Sequence, residues 1–140
     1  MDKNLKLTET VSINAPTSEV WGALTDSATI QKFMWGTHAT SEWKKGSPLT
    51  FEGEWEGKAY KEKGTILEIE REKLMKYTYL SSGNDDKPEN YAIITYRLSG
   101  NNGTTQMSVT QEGAKNQEAL EHSKDGWKTI LGNLKKLLEE

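Results

Sequence analysis

The chain has 140 residues, 18 Lys and Arg against 21 Asp and Glu, a formal net charge of −3 and no cysteine. One domain spanning 1–140 and of this length buries about two-thirds of the surface its unfolded chain exposes, so a sizeable core is available. The dispersed, mildly acidic charge excludes a nucleic-acid partner, and the lack of Cys excludes disulfides, thiolate catalysis and zinc–thiolate sites.

The chain opens with "MDKNLKLTETVSINAP", which lacks a signal-peptide core, and no apolar run is long enough for a membrane span. A cytoplasmic protein is the expectation. Leu5, Leu7, Val11 and Ile13 share one parity, with Lys6, Thr8, Thr10 and Ser12 on the other, the pattern of a half-buried strand. Pro16 stops it, and Thr17 or Ser18 is placed to cap the next segment. There Val20, Trp21 and Leu24 make one helical face. A break at Asp26–Ser27 precedes a second short helix with Ile30, Phe33 and Met34 inward.

From residue 38 to 113 the period is two. Two strands flank a turn at Lys45–Pro48, the second placing Leu49, Phe51, Gly53 and Trp55 on one face and Glu52, Glu54 and Glu56 on the other. Lys61, Glu62 and Lys63 form a charge run on the next strand, positioned to pair with those glutamates across the sheet. That strand slips parity near Gly64, which predicts a bulge. "KLMKYTYL" is a further strand, "SSGNDDKPEN" a mobile polar loop, and "GNNG" a tight hairpin between the last two strands.

The closing "DGWKTILGNLKKLLEE" sets Trp127, Ile130, Leu131, Leu134, Leu137 and Leu138 within an arc of roughly 120° on a helix. Extended back to Lys115, the helix is about 36 Å long. Its inner face changes from Ala119 and Ser123 to bulky residues, with Gly126 at the junction. Small residues there mean either that a strand approaches closely or that space is left open. The order of strand, two short helices, about six strands and a long helix, without strand–helix–strand alternation, gives an α+β fold with an antiparallel sheet.

The segments "VSINAPTSEVWGALTDSATIQKFMW", "KGTILEIEREKLMKYTYL", "GNNGTTQMSVTQEG" and "GWKTILGNLKKLL" occur in the order and spacing of one family. The chain resembles the family of homologues of the heat-shock-protein ATPase activator's C-terminal domain. That family lies within the superfamily of START, polyketide-cyclase and birch-pollen-allergen-like domains. The resemblance implies a helix-grip fold: a curved antiparallel sheet of six or seven strands around the C-terminal helix, with an apolar cavity between them. The family's usual Gly-Gly at the start of the third strand is replaced by Lys45-Gly46-Ser47-Pro48.

Titratable chemistry is sparse. His122 points away from Trp127 towards solvent, whereas His38 begins a strand where a cavity mouth would lie. No metal-ligand spacing, nucleophile elbow or phosphate-binding glycine pattern occurs, so no metal, cofactor or catalytic residue is assigned. Aromatic residues from separate elements converge on one sheet face. The cavity-lining set is Trp35, His38, Phe51, Trp55, Tyr79, Tyr96, Ser123, Trp127, Ile130 and Leu131. Non-catalytic binding of a small apolar or amphipathic ligand by a monomer or weak dimer is the first reading. A chaperone-interaction module with a stress-response role comes second, and a cyclase-type enzyme using a tyrosine or His38 third.

Overall fold

The computed structural model describes residues 1–139; the side chain of Trp55, one of the expected cavity residues, lies outside the described residues. The elements run β1 (Asp2–Ile13), α1 (Thr17–Leu24), α2 (Ser27–Phe33), β2 (His38–Ser41), β3 (Pro48–Trp55), β4 (Lys58–Glu70), β5 (Leu74–Tyr79), β6 (Ala92–Asn101), β7 (Thr104–Ala114) and α3 (Gln117–Glu139). The seven strands form one antiparallel sheet in the order β1-β7-β6-β5-β4-β3-β2. Consecutive strands from β2 to β7 are neighbours. β1 returns to the far edge beside β7, so α1 and α2 cross from one edge of the sheet to the other. This is the helix-grip architecture.

Period-two patterning is realised where it was expected. Along β1, Leu7 and Ile13 are buried and Lys6, Thr8, Thr10 and Ser12 exposed. The β6–β7 hairpin closes through Asn102 (φ 53°) and Gly103 (φ 80°). Two consecutive left-handed residues define a turn whose twist matches that of the flanking strands, the reason Asn-Gly is favoured there.

The first helix is capped differently from expectation. Pro16 is the N-cap residue of α1 and makes no side-chain cap, while the Thr17 hydroxyl donates to Glu72 Oε1 at 2.8 Å. At α2, Asp26 caps by accepting from the Thr29 N–H at 3.2 Å. Asp26→Ala is therefore expected to cost about 1 kcal/mol, read as a shift in the urea midpoint without a change in slope.

The slip in β4 resolves into two features. The register with β5 shifts between Ile66 and Glu68, which is the bulge. Gly64 lies just before it, where the backbone of β5 approaches so closely that a Cβ would overlap the Thr78 carbonyl. The polar loop after β5 is anchored rather than free. Asp86 accepts from the Tyr91 hydroxyl at 2.6 Å and pairs with Lys63 at 2.5 Å, and Pro88–Asn90 forms a 3-10 turn. The pairing lowers the Asp86 pKa and raises that of Lys63, chiefly through their shared hydrogen bond.

α3 is continuous through Gly126 over 23 residues, about 34 Å. It packs along β1 and more lightly on β7 and α2. Its C-terminal half seals the main core, where Leu131 and Leu134 meet Ile13, Phe33 and Met107. Its N-terminal half sits on a smaller cluster of Leu7, Ala114 and Leu120. Ala119 is partly buried and packs against that cluster. A Cβ at Gly126 would meet nothing within 4 Å. Gly126→Ala should accordingly raise stability by about 0.5–1 kcal/mol, measurable by urea unfolding, because glycine in a helix interior costs chain entropy with no packing return.

Candidate functional site

Because α3 lies over the β1–β7 side, the sheet beyond it is roofed only in part. The gap is a cavity of about 740 Å³. Its floor is Phe51 of β3, Tyr60 and Glu62 of β4, Tyr77 and Tyr79 of β5 and Gln111 of β7. Ser123, Gly126, Trp127 and Ile130 of α3 form one wall, spaced three and four residues apart on a single helical face. Met34, Trp35 and Thr37, between α2 and β2, close the opposite side. Exposed His122, Asp125 and Thr129 stand at the mouth with Trp35, a residue 53% exposed.

Trp35 owes its outward position to backbone conformation. It has φ 51° and is followed by Gly36 at 78°. Left-handed geometry is costly for a bulky residue, and the glycine accommodates the second step of the reversal. Tyr60 depends on a second glycine. Gly53 pairs with Tyr60 across β3 and β4, and a Cβ at Gly53 would come within 2.5 Å of the Tyr60 hydroxyl. The missing side chain leaves room for the ring to lie over β3 and for its hydroxyl to meet Thr37 Oγ1 at 2.5 Å.

The aromatic rings form a chain. Phe51 meets Tyr79 edge-on at 5.9 Å, Tyr77 meets Tyr96 at 5.6 Å, and Tyr96 meets Trp127 at 6.0 Å between centroids. Edge-to-face contacts of this kind suit the ring quadrupoles. The polar ends are held as well. The Trp127 indole N–H donates to Gln111 Oε1 at 2.9 Å, and Gln111 Nε2 donates to the Gly113 carbonyl at 3.1 Å. The Tyr77 and Tyr96 hydroxyls share a 2.8 Å hydrogen bond. Tyr79 donates to one oxygen of the Glu62 carboxylate, and the Ser82 N–H donates to the other at 3.1 Å.

Burial raises the pKa of all three inner tyrosines. Tyr77 is pushed well above its ordinary value by burial and then by Tyr96, Tyr79 by burial and then by the Glu62 charge, and Tyr96 up to about 12 by burial. These phenols are hydrogen-bond donors near neutral pH, not bases. In the folded chain each keeps its proton to a higher pH than in the unfolded one. Their contribution to stability is thus complete below the ordinary value of 10.0 and is lost as pH rises above it. Each is expected to steepen alkaline destabilisation by up to about 1.4 kcal/mol per pH unit. Phenolate absorbance from these three should emerge only with unfolding, and Tyr77→Phe should reduce the alkaline slope.

Six of the expected residues meet at the cavity: Trp35, Phe51, Tyr79, Ser123, Trp127 and Ile130. Three stand elsewhere. Pairing of β2 with β3 turns Ala39 inward at 1% exposure, so its neighbour His38 faces out and lies 2.7 Å from Gln31 Nε2. Leu131 is packed in the main core. Tyr96 stands behind Tyr77 and Trp127, beside a separate void of about 10 Å³, room for about one water. Sequence reasoning missed Tyr60, Glu62, Tyr77 and Gln111. Glu62 was read as wet-face charge, yet it pairs with inward Phe51 and shares the cavity face. Lys61 does face out, 3.8 Å from Glu52.

A family model described as "Activator of Hsp90 ATPase homolog 1-like protein" matches residues 14–139. The chain belongs to that family. No curated protein matches the sequence. Among solved structures, ChR145 from Cytophaga hutchinsonii is 38% identical with a TM-score of 0.84, the match covering 99% of this chain and 97% of that one. CV1439 from Chromobacterium violaceum is 20% identical with a TM-score of 0.81, covering 97% and 99%. The Aha1 dimer from Colwellia psychrerythraea is 18% identical with a TM-score of 0.77, covering 96% of each. The latter two structures have the same fold with sequences that differ from this one at most positions. Among the described residues no helix is long and apolar enough to cross a membrane.

Proposed function

We propose that this activator-homologue-family chain binds a small apolar or amphipathic molecule non-covalently, between α3 and strands β3 to β5. The observation that carries the reading is the 740 Å³ cavity, which is within the size range of small-molecule sites and has aromatic walls with a few oriented polar groups. Burying about 400 Å² of apolar ligand surface gains roughly 10 kcal/mol before about 4 kcal/mol or more of lost freedom is subtracted. The remainder corresponds to a dissociation constant of roughly tens of micromolar.

Native mass spectrometry of protein purified from its own source tests this directly. A stoichiometric small molecule that leaves on mild activation is the expected result. A bare chain that also takes up no apolar probe in calorimetry would overturn the proposal.

The chaperone-module reading has less support. Met1 and Trp35 are the large apolar side chains exposed among the described residues, and one of them stands at the cavity mouth. The enzyme reading has less support, since the tyrosines it would use are held protonated and His38 faces outward. A cytoplasmic monomer or weak dimer accompanies the binding proposal. The Colwellia relative is a dimer, so the mass from sedimentation equilibrium against concentration in analytical ultracentrifugation is the matching check.

A further inference from the structure

Resting on that binding reading, we infer that the cavity selects ligands carrying a cationic or strongly hydrogen-donating head on an aromatic body, and rejects carboxylates. Two features of the lining carry this. The first is its charge. Glu62 and Asp125 are acidic, and among the described residues no Lys or Arg lines the cavity and His122 at the rim is the one lining residue able to become positive. The second is the state of Glu62. It stands in a wall of rings, and none of the ion pairs among the described residues includes it. Its sequence neighbours Lys61 and Lys63 are engaged on the opposite face by Glu52 and Asp86.

Glu62 is half-buried, and a carboxylate partly withdrawn from water favours a compensating donor. Tyr79 and Ser82 supply one hydrogen bond to each oxygen, which fixes the group in orientation without neutralising it. A carboxylate can accept about four hydrogen bonds, so acceptor capacity remains for a donor arriving from the cavity. An ammonium head placed there gains a charge-assisted hydrogen bond while its aromatic body lies among the rings that line the cavity. An anionic head meets Glu62 without any cation to offset the repulsion. The same volume and rings with a lysine in the wall would have carried the opposite preference.

The test uses three naphthalene probes of equal size, ending in ethylammonium, ethanol and acetate, titrated into the intact chain by calorimetry. The ammonium probe is expected to bind about tenfold more tightly than the alcohol, and the acetate about tenfold more weakly. Glu62→Gln should erase the ammonium preference, bringing the ammonium and alcohol probes within about twofold of each other, with urea unfolding as the check that the variant is folded. Tyr79→Phe, which keeps the charge, should retain the preference. Asp125→Asn, at the wet mouth, should change it less than about twofold because solvent screens exposed charge.

If the alcohol binds and the ammonium binds no better, or if the preference survives Glu62→Gln, the selectivity inference is overturned while ligand binding stands. If none of the three probes binds, both fall together.

Discussion

Gly64→Ala is expected to destabilise the protein by about 3–5 kcal/mol, which for a domain of ordinary stability removes much of the margin. The added methyl would overlap backbone, the carbonyl of Thr78, rather than a side chain that can rotate away. β4 and β5 must therefore separate. Around that point the strands are joined by Leu80 N–H to the Lys63 carbonyl at 2.8 Å and Thr65 N–H to Thr78 Oγ1 at 2.9 Å. Overpacking costs roughly 1–3 kcal/mol and each hydrogen bond lost about 1 kcal/mol, which sum to the stated range. Urea unfolding gives the measurement. A change below about 1 kcal/mol would mean that the strands do not approach as described. Tyr79 and Glu62 lie on these two strands, so any folded fraction should also show weaker probe binding.

Ser123→Trp is expected to cost little stability and most of the ligand affinity. Ser123 lies on the cavity side of α3 at the level of Trp127, with open space in front of it. An indole there fills room that a ligand would use. Displacing about 100 Å² of apolar ligand contact loses roughly 2.5 kcal/mol, about sixtyfold in affinity. Stability should move by less than about 1 kcal/mol because no packed neighbour is pushed aside. Paired calorimetry and urea titrations decide it. A fall of several kcal/mol in stability would mean the space is occupied by the protein's own side chains, and unchanged affinity would mean the probe binds elsewhere.

Particular residues show how far sequence carries for such a site. The inner face of α3 is legible because a helix repeats every 3.6 residues whatever it packs on, and Ser123, Trp127 and Ile130 follow from that period alone. Phe51 follows from strand parity, and Tyr79 from aromatic character alone. Glu62 does not, because a lone acid between two lysines has the pattern of solvated surface. His38 fails for a related reason: nearness in sequence to a cavity mouth does not say which way a strand faces.

The sequence by itself determined the α+β class, the order of elements, the Asn102–Gly103 hairpin and the apolar stripe of the last helix. All of these rest on periods and turn preferences carried by a few adjacent residues. Only the tertiary structure decided that Phe51 stands opposite Glu62 and Gly53 opposite Tyr60, and that α3 favours the β1–β7 side and leaves the rest of the sheet open. Pairing register and helix placement are set by contacts between residues distant in the chain, so no local pattern records them.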